Sequence, residues 1–203
     1  MLAQMAQRIS SFFISKNMIQ EEERKIYDYS FEILLSTVIN FLAVVMIAFA
    51  SQTVISTIWF LIGFMAIRAT AGGFHAETHI GCFLILMGTY GAYLVILLLL
   101  SNSALNVLTI VFSIISWLLV VILAPVEDHN RTFSTDEYRK FKMISNITVS
   151  IVLCISFVLV LFFEKMKWGF SIAAGMHIVS LSLIAGTLKN RLRKRRKNKM
   201  KGV

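Results

Sequence analysis

Charge and proline are scarce in this chain. Of its 203 residues only 15% are charged and one is proline, whereas 57% are hydrophobic and the mean hydropathy is +0.75. Soluble globular domains carry about a quarter charged residues, so the composition excludes that class. Cysteine is scarce too: Cys82 and Cys154 are the only two, and no disulfide framework is indicated. No secretory signal is recognisable, because Arg8 and Lys16 interrupt the first apolar stretch and no small-residue cleavage site follows a compact hydrophobic core. The N-terminus is therefore expected to be retained. Internal repeats and low-complexity tracts are missing, and residues 1–203 read as a single membrane domain.

What is present comes in blocks. Crossing the roughly 30 Å hydrocarbon core takes about 20 mostly apolar residues in a helix, and five blocks meet that length: about 31–50, 82–100, 104–124, 144–163 and 169–187. A sixth, about 54–67, is short but free of charge and boxed between two others, so it counts as a span that tilts or joins the next segment. The expected fold is all-α, a polytopic membrane protein of six transmembrane helices in the lipid bilayer.

Orientation follows from Lys and Arg in the connections. Residues 1–30, 68–81, 125–143 and 188–203 carry 18 of the 20 basic residues, and the opposite connections carry 2. The first set is assigned to the cytoplasm, which puts both termini there and the protein in the cytoplasmic membrane.

Two flanking segments have patterns of their own. Leu2, Met5, Ala6, Ile9 and Phe13 recur at helical spacing, so 2–25 is expected to lie in the membrane interface as an amphipathic helix. The tail 188–203 is strongly basic and reads as an anchor against anionic headgroups; nucleic acid is a poor partner for a tail tethered at the bilayer. In the one long polar loop, Ser134 and Glu137 form a capping-box pattern that starts a helix leading into the fifth span.

Chemistry concentrates in residues 68–82, which hold Arg68, Gly72, Gly73, His75, Glu77, His79, Gly81 and Cys82 between two spans. Ionisable groups at membrane depth are costly and so are functional candidates. The three glycines permit unusual backbone angles and close approach of a substrate chain. Cys82 and His75 supply a nucleophile with a base in reach, and a thiolate is favoured by a nearby imidazolium or a helix N-terminus. On one straight helix, seven residues would separate them by about 10.5 Å along the axis. A break in the helix is therefore required, and Gly81 is the expected place.

Other residues have competing readings. Arg68 could hold a substrate carboxylate or an oxyanion, or simply flank the second span. Glu77 could orient an imidazole or be a solvated acid. His75 and His79 could be drawn as a metal pair, although the spacing of the acid does not match the H-E-x-x-H arrangement, and no metal is assigned. Cys154, inside an apolar run, reads as a small hydrophobe. His177, near Ser180 and Ser182, reads as a helix-packing hydrogen-bond partner.

The pattern R-x-x-x-G-G-x-H-x(6)-C at Arg68, Gly72, Gly73, His75 and Cys82, with Ala124, Pro125, Val126, Glu127 and Asn130 after the fourth span, resembles the AgrB family. These peptidases process the quorum-sensing pro-peptide AgrD, and the likeness covers nearly the whole chain. The resemblance implies Cys82 as nucleophile, His75 as general base, no cofactor and a homodimer. It implies an AgrD-like substrate with an amphipathic N-terminal helix, an internal cysteine and an acidic tail, cut through a thioester and closed to a thiolactone. The readings from other classes are a peptide-binding or export protein without catalysis, and a metal-dependent membrane hydrolase using His75 and His79.

Overall fold

The computed structural model describes residues 2–74, 78–126 and 134–201, with the side chains of His79, Lys194 and 196–201 outside that description. Seven α-helices account for most of it: α1 (Leu2–Ser15), α2 (Arg24–Ala50), α3 (Val54–Ala71), α4 (His79–Leu99), α5 (Asn102–Leu123), α6 (Thr135–Leu161) and α7 (Met166–Lys201). No strand is found among the described residues. Helices α2 to α7 are each long and apolar enough to cross a bilayer. The all-α fold with six spanning helices and an N-terminal helix is what the apolar blocks predict.

The helices overrun the blocks. Arg24 and Lys25 open α2, Arg68 lies in the last turn of α3, and α7 continues through the basic tail. Apolar runs report where a chain meets lipid, whereas a helix ends where its terminal groups find other partners. The expected 2–25 helix is shorter than predicted: α1 stops at Ser15, and a 3-10 turn at Glu21–Glu23 precedes α2. At α6 the local signal is sharp. Ser134 accepts from the Glu137 amide at 3.3 Å while the Glu137 carboxylate accepts from the Ser134 amide at 2.9 Å, completing the predicted capping box.

The chain divides into two compact units, 1–52 and 53–203. In the first, α1 packs on α2 through Phe13 and Phe31, stacked at 5.5 Å, and through the Arg24 guanidinium, which donates to Ser11 Oγ at 3.1 Å.

In the second unit α7 is the centre. Gly63 of α3 and Gly175 of α7 let the two backbones touch: a Cβ at Gly175 would strike Phe60 O and stand 2.8 Å from Phe64 N, and one at Gly63 would strike Ile172 O. Helices in lipid gain by such close approach at small residues. An aromatic column runs across the unit from Phe64 through Phe60, Tyr93, Phe170 and Phe112 to His177, which stacks on Phe112 at 4.2 Å. Two hydroxyl pairs link helices inside the bundle, Thr57 with Tyr90 at 2.7 Å and Tyr93 with Ser171 at 2.8 Å. Lys142 reaches from α6 to the open end of α5, donating to Val121 O at 2.7 Å. That cation satisfies a carbonyl left over at a helix C-terminus.

Helix α4 is held differently along its length. Its buried side chains, Tyr90, Tyr93, Leu94 and Leu97, all lie in the half remote from Cys82. Ile80, Leu84 and Ile85 are exposed, and a Cβ at Gly88 or Gly91 would meet nothing within 4 Å.

Candidate functional site

The site begins where α3 stops. Gly72 has φ +72° and Gly73 φ +127°, values that side chains with a Cβ resist, so the paired glycines end the helix by turning it. Gly72 pairs with Val126 in an isolated bridge, and the Val126 amide donates to Ala71 O at 2.9 Å. The segment after α5, which contains Pro125, thereby braces the turn from one side. A Cβ on Gly72 would stand 2.5 Å from Val126 O.

On the other side stands α7. The Phe74 amide donates to Ser182 O at 2.9 Å. Arg68 spreads its guanidinium over the same turn: Nη1 donates to Gly72 O at 3.0 Å and to Ser182 Oγ at 2.8 Å, and Nη2 donates to Phe74 O at 2.7 Å. A Cβ on Gly73 would collide with Arg68 Nη1 and Ser182 Oγ. Gly186, one turn along α7, passes so close that a Cβ there would be 3.1 Å from Phe74 N. Lys189 places its ammonium over the Phe74 ring, 5.0 Å from the centroid, close enough for a cation–π contact.

Thr78 is extended and caps α4 by accepting from the Gly81 amide at 3.1 Å. Gly81 lies inside the first turn, and the Cys82 amide donates to Thr78 O at 3.1 Å. Gly81, the expected place of the break, is itself helical; α4 starts after Thr78, whose hydroxyl satisfies an amide that Gly81 would otherwise leave open. Cys82 is a free, half-exposed thiol in this turn. His75 and Glu77 lie outside the described residues, as do the side chain of His79 and the residues Glu127 and Asn130. Among the described residues no group of three His, Cys, Asp or Glu side chains is placed to hold a metal ion.

Two readings of the other polar residues agree with their surroundings. His177 Nδ1 is 3.2 Å from Ser116 Oγ, a contact between α5 and α7 of the helix-packing kind. Cys154 is exposed on α6 in an apolar groove with Ile151, Ile155 and Val158. Sequence reasoning missed the roles of Ser182, Gly186 and Val126, which reach the turn from distant parts of the chain.

The sequence profile of accessory gene regulator B matches residues 6–183, a span that includes the turn, Cys82 and Ser182. The chain belongs to the AgrB family. No curated protein sequence and no solved structure matches it. AgrB membership brings with it a membrane setting and a part in processing an AgrD-like quorum-sensing peptide. The spanning helices agree, making this AgrB protein multi-pass.

Proposed function

We propose that the protein is a membrane cysteine endopeptidase that removes the C-terminal tail of an AgrD-like pro-peptide and closes the remainder into a thiolactone. Its setting in this reading is the bacterial cytoplasmic membrane, as a homodimer, with both termini and the site on the cytoplasmic side. The carrying observation is the AgrB match across the segment that holds His75 and Cys82. The half-exposed thiol in the first turn of α4, beyond a turn braced by α3 and α7, supports it.

The chemistry needs both residues. His75 takes the proton of Cys82, and the thiolate attacks the carbonyl of the bond that precedes the acidic tail. The tetrahedral adduct collapses, the C–N bond breaks, and the imidazolium returns its proton to the departing amine. A thioester between Cys82 and the peptide remains. The substrate's internal thiol, losing its proton to His75, attacks that thioester, and Cys82 leaves as thiolate. One thioester replaces another in this exchange, whereas hydrolysis runs downhill, so water must be kept away. A substrate helix held in the membrane raises the effective concentration of the internal thiol. Arg68, Gly72, Gly73 and Gly81 serve in this reading as backbone-shaping residues.

The test is to replace Cys82 by Ser and His75 by Ala separately and follow pro-peptide size on a gel. Both variants are expected to leave it uncut. Full processing by either one would remove the peptidase from consideration.

A further inference from the structure

We propose that Ser182 of α7 is a positioning residue for this reaction: with Arg68 it clamps residues 72–74 at the spacing that the neighbouring His75 needs. The inference rests on the cysteine-peptidase reading and adds α7 to the elements that serve it.

Three observations converge on the clamp. Ser182 grips the turn twice, accepting from Phe74 N through its carbonyl and from Arg68 Nη1 through its hydroxyl. Arg68 returns the grip, holding Gly72 O and Phe74 O with the same planar fork. That fork geometry is fixed, so moving one acceptor moves the others. The packing leaves little slack: Gly73 has no room for a Cβ because Arg68 and Ser182 occupy it, and Gly186 lies against Gly73 and Phe74. Phe74 is the residue immediately before His75 in sequence, and its amide and carbonyl are both held. A general base must stay within hydrogen-bond reach of its thiol, and misplacement of about 1 Å can cost roughly 100-fold in rate. Ser182 touches no reacting atom in this account; it acts through Arg68 and the backbone of 72–74.

The hydroxyl is the part that substitution can remove, since the carbonyl of residue 182 persists in every variant. In proteoliposomes with a synthetic pro-peptide, Ser182→Ala is expected to lower kcat about 10-fold or more, with KM unchanged. Ser182→Thr keeps an acceptor and is expected to recover most of the rate. Arg68→Lys keeps the charge and loses the fork. If both residues work through one clamp, the double variant Arg68→Lys with Ser182→Ala falls well short of the product of the single losses.

Wild-type kcat in Ser182→Ala, a change confined to KM, no recovery by Ser182→Thr, or multiplicative losses in the double variant would each overturn the clamp. So would failure of Ser182→Ala to accumulate in the membrane, which would make the serine a folding residue only. A Cys82→Ser control run alongside separates the two readings. Retained processing there ends the peptidase proposal, whereas an inactive Cys82→Ser beside a fully active Ser182→Ala ends only the clamp.

Discussion

Replacing Gly175 by Ala adds one methyl group where α3 and α7 cross with their backbones in contact. The new Cβ would collide with Phe60 O and sit 2.8 Å from Phe64 N and 3.2 Å from Gly63 C, all of them backbone atoms of α3 that no rotamer change can move. The helices must part, and overpacking of this kind costs about 1–3 kcal/mol. Against it stands the gain of a better helix former, about 0.5–1 kcal/mol. Because the clash is with backbone, the upper part of that cost applies, about 2–3 kcal/mol, and the net is a loss of about 1–2.5 kcal/mol, equivalent to roughly 2–10 °C in Tm for a chain of this size. Gly88→Ala is the matched control, because a Cβ there meets nothing within 4 Å and only the propensity gain applies. Thermal unfolding of both variants in detergent, followed by a fluorescent thiol probe or by aggregation, should move them in opposite directions. Equal losses in the two would refute the α3–α7 packing.

The remaining predictions concern the site and its approaches. Gly73→Ala should abolish processing while the protein still reaches the membrane, since a Cβ at φ +127° meets both Arg68 and Ser182; processing within a few-fold of wild type would contradict the turn. A charged maleimide applied to inside-out vesicles should label the half-exposed Cys82 and spare Cys154, which lies in an apolar groove on α6. Labelling only of right-side-out vesicles would reverse the proposed orientation. Lys142→Met should lower stability by about 1–3 kcal/mol by orphaning Val121 O, as read by the same thermal assay. Raising ionic strength from about 0.1 M to about 1 M shortens the screening length from about 10 Å to about 3 Å. The KM for an acidic-tailed peptide should then rise several-fold, and a salt-independent KM would argue against electrostatic capture by the basic segments.

Apolar length was enough to find every spanning helix, and the Ser134 and Glu137 pair was enough to start α6 at the right residue. Those signals are local: each is carried by residues within one helix or one turn. Boundaries went astray at Arg24, Arg68 and the basic tail, where charged residues remain helical beyond the lipid and hydropathy is silent. In the site, the glycine pair foretold a turn, because two adjacent glycines at a helix end carry their own conformational signature. The start of α4 was misplaced: the break was expected at Gly81, whereas the helix begins after Thr78, whose hydroxyl caps it. Ser182 was beyond reach. It meets Arg68 across 114 positions of sequence, and a hydroxyl on a spanning helix looks alike whether it serves a turn or a neighbouring carbonyl.

Helix α7 has 36 residues, about 54 Å at 1.5 Å per residue, against a hydrocarbon layer of about 30 Å. Its cationic end is therefore a stiff spar and not a loose tether. Ser182, Gly186 and Lys189 ride on the same spar within three turns of where the arginines begin. With no helix end between them, the basic segment and the residues that hold the turn at 72–74 are parts of one rod and share its orientation.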